Sequence, residues 1–230
     1  SEIENELLGS KNMINAKLGF EAIYTFAYPF CAKETFGLTQ KYYIAARSCK
    51  NDIEASTPKD FMDIGAVLCG SGTNYKSSTD FNGFAEKALA FNGWGVYLFH
   101  EIDGSGGNSI KSNDLSEHLA FLKKNNNSYW VDTFLNVVKY IKERNAVKVI
   151  LGEVNDNVIT INLSDGLDDT IYNYPLTIKK ELPENWNINN IKVKHAGTLI
   201  SHKLLQIANK NYIIFNAVPD QGKVEILKKS

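Results

Sequence analysis

The feature that most constrains this chain is a change of period near Val147. Before it, short apolar runs alternate with stretches of helical spacing; after it, apolar residues recur at every second position between closely spaced turns. Alternating strand and helix leads to a mainly parallel sheet covered by helices. Short alternating strands with frequent turns lead to a compact all-β sandwich. The expected organisation is therefore two pieces, 1–146 and 147–230, with no Pro-rich linker between them.

Within the first piece, Ile3, Leu7, Leu8, Ile14 and Leu18 fall near helical spacing and Gly19 is placed as a C-cap. An α/β domain ordinarily opens with a strand that its first helix covers, so a chain starting inside a helix reads as cut short upstream. A β-type run at 22–28 ends at Pro29; a helical stretch at 34–40 and a strand at 42–46 follow. Thr57-Pro58 has the form of an N-cap and first helical residue for a short helix to 64. Phe81, Phe84, Ala88 and Phe91 mark a longer helix, and the apolar run 94–102 reads as a strand buried on both faces. Past the glycine-rich loop 103–108, one helix is expected around Leu115, His118 and Leu122. Another carries Val131, Phe134, Val137, Val138 and Ile141. Beyond 147, strands are expected around 149–154, 158–162, 171–178, 191–194, 204–207, 212–216 and 224–227.

Composition removes several function classes. The formal net charge is -1 with no block of like charges, so neither nucleic acid nor an anionic membrane has an electrostatic footprint to bind. No apolar run approaches the roughly 18–20 residues needed to span a bilayer. Cys31, Cys49 and Cys69 lack CxxC spacing, which suggests no zinc ribbon and allows at most one disulfide.

Two segments have the residue types that acyl-transfer chemistry needs. In Tyr28-Pro29-Phe30-Cys31, a proline after a strand fixes the direction of the chain. The N–H of Phe30 can then be aimed beyond the strand end as an oxyanion donor. The plainer reading is that Pro29 only ends the strand. In Leu98-Phe99-His100-Glu101, a histidine closes an apolar strand before a glycine-rich loop, where a β/α fold keeps its catalytic groups. The alternative there is a hydrogen-bonded core histidine. His118 reads as packed or superficial, Trp94 and Trp130 as core, and Trp186, in an Asn-rich polar loop, as the tryptophan suited to glycan contact.

Together these segments resemble the later motifs of NodB-homology polysaccharide deacetylases: Tyr28-Pro29-Phe30-Cys31, then Tyr43-Ile44-Ala45-Ala46-Arg47, then Leu98-Phe99-His100. The likeness continues through Trp130-Val131-Asp132-Thr133-Phe134 and 140–144, and more weakly into Tyr174-Pro175. It implies an incomplete, distorted (β/α) barrel followed by a small β-sandwich, in an extracellular or cell-envelope protein that removes acetyl groups from a polysaccharide. By position, His100 is the acid, Phe30 the oxyanion donor, and Tyr28 and Pro29 line the substrate. Arg47 supplies a positive charge where Ala27 replaces the family's arginine. In the family, an Asp-His-His triad upstream holds zinc or another divalent metal; no such motif precedes Pro29, so no metal is expected for this chain alone. The alternative is a non-catalytic glycan-binding or remnant module with a deacetylase-like fold.

Overall fold

Helix α1 (Glu2–Leu18) starts where the Ser1 hydroxyl accepts the Glu4 N–H, and it stops at Gly19, whose left-handed φ of 76° lets its N–H close on the Asn15 carbonyl at 2.9 Å. Only Leu7 of its stripe is buried. The computed structural model describes residues 1–32, 35–186 and 190–228. The chain divides into two compact units, Ser1–Val138 and Lys139–Ser230. The division falls inside helix α5 (Phe134–Ala146), upstream of the change of period at Val147.

Among the described residues, unit 1 contains six short strands: β1 (Thr25–Ala27), β2 (Ala45–Arg47), β3 (Val67–Cys69), β4 (Tyr97–Phe99), β5 (Glu101–Ile102) and β6 (Ser109–Ile110). They pair in parallel as β1 with β2, β3 with β4 and β5 with β6, forming separate two-stranded sheets. This corrects the expected incomplete (β/α) barrel: the parallel ladders are two or three residues long, and among the described residues no barrel closes. The apolar runs overstated the strands because polar and glycine positions interrupt them. The run 94–102 breaks at His100 and pairs its two halves with different partners; its residues are half-buried to exposed, not buried on both faces. The expected 57–64 helix is also absent. Asp60 instead folds a turn by accepting the Met62 N–H at 2.7 Å. The expected helix at 34–40 starts at Glu34, outside the described residues; α2 is Phe36–Thr39.

Helix α3 (Ser78–Ala90) opens with a capping box, Ser77 and Asp80 each bonding the other's backbone N–H. Its buried Phe81 and Phe84 pack with Val67, Cys69 and Ile110, and with Tyr75, Tyr97 and Phe99 at the rim. The rings meet edge to face, Phe81 to Phe99 at 5.6 Å and Phe84 to Tyr97 at 5.2 Å. A side chain at Gly95 would come within 2.7 Å of the Phe84 ring, so glycine is what lets the strand approach the helix. Helix α4 (Ser112–Lys124) adds His118 to this core, with Nδ1 2.8 Å from the Asn82 amide oxygen and the imidazole 4.9 Å from the Tyr97 ring. Burial holds the His118 pKa below its ordinary value.

Unit 2 contains the antiparallel strands β7 (Lys148–Val154), β8 (Val158–Ser164), β9 (Leu176–Glu181), β10 (Ile191–His195), β11 (Thr198–Ile200), β12 (His202–Ile207), β13 (Lys210–Ala217) and β14 (Val224–Lys228). They form a five-stranded sheet, β11-β10-β14-β8-β7, and a three-stranded sheet, β12-β13-β9. Every second residue enters one shared core: Ile159, Ile161 and Leu163 from β8, Ile191 and Val193 from β10, Ile213 and Phe215 from β13, Val224 and Ile226 from β14. No helix among the described residues is long and apolar enough to cross a membrane.

Candidate functional site

The Pro29 segment forms a tight, cross-linked turn. Ala27 at the end of β1 lies opposite Arg47 at the end of β2, and the Tyr28 N–H donates to the Arg47 carbonyl at 3.3 Å. Pro29 then opens a single 3₁₀ turn (Pro29–Cys31) in which Phe30 and Cys31 both take left-handed φ values, 52° and 59°. The N–H groups of Cys31 and Ala32 bond back to the carbonyls of Tyr28 and Pro29 at 3.1 and 3.0 Å. Neither bond uses the Phe30 N–H. Two consecutive left-handed residues other than glycine are costly, and the Cys31–Cys49 disulfide ties the turn to the chain leaving β2. Cys69 remains a buried thiol, pushed up to about 12 by burial.

The expected site residues fare differently around this turn. The Phe30 side chain is fully exposed. Tyr28, expected to line substrate, is instead 1% exposed, with its ring edge-on to Phe26 at 5.5 Å. Burial raises its phenol pKa against a hydrogen bond with Thr39. Arg47 is half-buried, with Nη1 donating to the Cys49 sulfur at 3.5 Å, and burial holds its pKa below the ordinary arginine value.

His100 lies between β4 and β5 and is exposed. The loop after it is tightly held. The Gly106 N–H donates to the Glu101 carboxylate at 3.1 Å, the Gly104 N–H to Ser109 Oγ at 2.8 Å, and the Ser112 N–H to Asp103 Oδ1 at 3.0 Å. A bridge from Arg47 to Ile64 links β2 to the segment running into β3, so the ladder order is β1, β2, 64–69, β4. Phe30 and His100 therefore lie beyond the carboxyl ends of strands three steps apart, about 14 Å along the ladder at the usual strand spacing. The ladder alone does not bring them to one acetyl group.

Among the described residues, no group of three metal-ligating side chains lies on this rim. Among the described residues, the group of three ligand side chains within 4.8 Å of one another is Asp165, Asp169 and Asp220, in unit 2 and all oxygen. Such a set suits a hard cation and not a catalytic zinc, which takes three protein ligands rich in nitrogen or sulfur. Two of the three carboxylates also have a structural occupation. Asp220 accepts the N–H groups of Asp165 and Gly166 at 2.9 and 3.4 Å, and Asp165 accepts that of Leu167 at 2.8 Å. Burial, then the neighbouring carboxylates, raises the Asp165 pKa, while the Ser164 hydroxyl heads the causes lowering that of Asp220.

No family model matches the chain. It is 27% identical, over an alignment 248 positions long, to a gellan lyase from Bacillus sp. The alignment takes in 99% of this chain and 10% of that protein, so the chain spans about a tenth of its relative's length.

Trp186 and Trp130 exchange the places that polarity and apolar flanks suggested, while Trp94 is half-buried against Phe134. Trp186 is 2% exposed in the core of unit 2, beside Leu182 and Ile191, so it offers no face to a glycan. Its Asn-rich setting concealed a turn that folds inward, with the Trp186 N–H closing on the Pro183 carbonyl at 3.1 Å. Trp130 is half exposed. Glu143, which the sequence did not single out, is fully buried in unit 2 and accepts the Tyr174 N–H with both oxygens at 3.1 Å. It lies on the side of α5 opposite the stripe of Phe134, Val137, Val138 and Ile141, where helical spacing alone predicts a solvent-facing glutamate.

Proposed function

We propose that the chain is a module of a larger polysaccharide-acting protein, and that its first unit contributes the oxyanion and proton-donor side of a carbohydrate deacetylase site. The observation that supports this reading is the Pro29 turn: two left-handed residues, cross-linked through Cys31–Cys49, leave the Phe30 N–H outside the turn's own bonds. Preorganised backbone donors of this kind stabilise the tetrahedral oxyanion of acyl transfer. The relative named for gellan agrees with a polysaccharide as the substrate class.

In this reading water adds to the acetyl carbon and loses its proton to a base outside this chain, and the Phe30 N–H donates to the acetyl oxygen as it gains charge. Exposed His100 gives its proton to the sugar oxygen or nitrogen that departs, and the Arg47 cation lies at the end of the strand next to Ala27. Bringing His100 to the acetyl requires the parts of the protein outside this chain to set the curvature of the rim. The test uses the full natural polypeptide and an acetylated polysaccharide, with released acetate and the ultraviolet absorbance of an unsaturated uronate followed together. Acetate release that falls about a hundredfold in His100→Ala, with KM little changed, is the expected result. Unsaturated product without acetate would replace deacetylation by a lyase reaction, and indifference to His100→Ala would leave a glycan-binding module.

A further inference from the structure

We propose that a groove beside the C-terminal end of α4 is a binding subsite for an acidic saccharide, with Trp130 as its stacking platform. The inference rests on the polysaccharide reading above. The groove has a volume of about 390 Å³ and is lined by Leu119, Leu122, Lys123, Asn126, Tyr129, Trp130 and Val131. That size lies within the roughly 300–1,000 Å³ of small-ligand sites and is too small for a folded partner.

The backbone builds the platform. Helix α4 ends at Asn125, whose N–H closes on the carbonyls of Phe121 and Leu122, and the N–H groups of Ser128 and Tyr129 fold back onto the Asn125 carbonyl at 2.9 and 3.2 Å. This turn carries Tyr129 against Phe121, with ring centroids 5.8 Å apart, and leaves Trp130 50% exposed, beside Leu119 at 52% and Val131 at 61%. An apolar floor with few polar groups at its edge suits a ligand that is apolar on one face and polar at its rim, as a pyranose is. Asn126 supplies an amide for hydroxyl groups, and Lys123 a cation. A lysine at the edge of an apolar floor selects a sugar with a carboxylate over its neutral counterpart.

Calorimetric titration of the chain with a tetrasaccharide of alternating uronate and neutral residues, and with its carboxyl-reduced form, tests this. The uronate form should bind about tenfold tighter. Trp130→Ala should weaken both by tenfold or more while Trp130→Phe retains most of the affinity, and Lys123→Gln should abolish the preference for the carboxylate. Unchanged thermal unfolding of the variants shows that the fold is intact. Equal binding by wild type and Trp130→Ala, or no binding of either saccharide, overturns the subsite. If acetate release by the full polypeptide persists in that event, the subsite alone has failed; if neither binding nor release is seen, the polysaccharide reading fails with it.

Discussion

Phe30 holds a left-handed backbone conformation at φ 52° while its ring is wholly exposed, so it accepts conformational cost without repayment from packing. Glycine occupies that region freely. Phe30→Gly should therefore leave unit 1 as stable or raise its stability by as much as ~1 kcal/mol, measured by urea denaturation. A loss of more than that would show that the ring makes a contact the exposed position does not suggest. The same substitution keeps the backbone N–H, so activity that disappears with it would mean the ring touches substrate, and activity that persists leaves the oxyanion role to the main chain. Tyr28 and Trp186 make the opposite point. Both have polar handles that suggested contact with a sugar, and both are within 2% of complete burial. Burial is decided by where a turn directs the side chain, and a linear sequence does not print that direction.

At the scale of elements, the parts that could be read from sequence are those fixed by local chemistry. Gly19 ends α1 in the left-handed conformation its position implies, Phe81, Phe84 and Ala88 of the expected stripe are buried on α3, and the strand expected at 158–162 is found in β8 with Ile159, Ile161 and Leu163 buried. What was not legible depends on partners distant in sequence. The run 94–102 pairs as two separate strands, and the proline at 58 marks a turn governed by Asp60. The tie between β1 and β2 is likewise long-range. Cys31 and Cys49 are 18 residues apart, and closing a loop of that size restricts the unfolded chain by about 3 kcal/mol in the chain-entropy description. Replacing both cysteines with serine should destabilise unit 1 by roughly that amount. A loss below ~1 kcal/mol would mean that the turn is held by its hydrogen bonds without the cross-link. In the candidate site, the Pro29 turn could be anticipated from its motif, but the three-strand separation of His100 from it follows from pairing order, which no motif encodes.

For the whole molecule, two units with separate cores imply two sets of stability determinants, and the buried Glu143 provides a probe for the second. Burial raises its carboxyl from the ordinary 4.5 to about 7, only partly opposed by the Tyr174 N–H. The folded state thus holds this proton more tightly than the unfolded state does. The resulting stability is fully present below about pH 4.5 and is lost as pH rises through about 7. A shift of that size is worth on the order of 1–3 kcal/mol. Unit 2 should therefore unfold more easily at pH 8 than at pH 5, and Glu143→Gln, which keeps an oxygen for the Tyr174 N–H but cannot ionise, should flatten the dependence. Buried Trp186 reports on this unit through its fluorescence, while Trp94 and Trp130 report on unit 1. Reading both signals in one titration separates the units: replacement of Cys31 and Cys49 should move the unit 1 transition, and the pH response should follow the Trp186 signal. If both perturbations shift a single common transition by the same amount, the two cores unfold as one cooperative body, and the stability of the candidate site in unit 1 then depends on the protonation of Glu143 in unit 2.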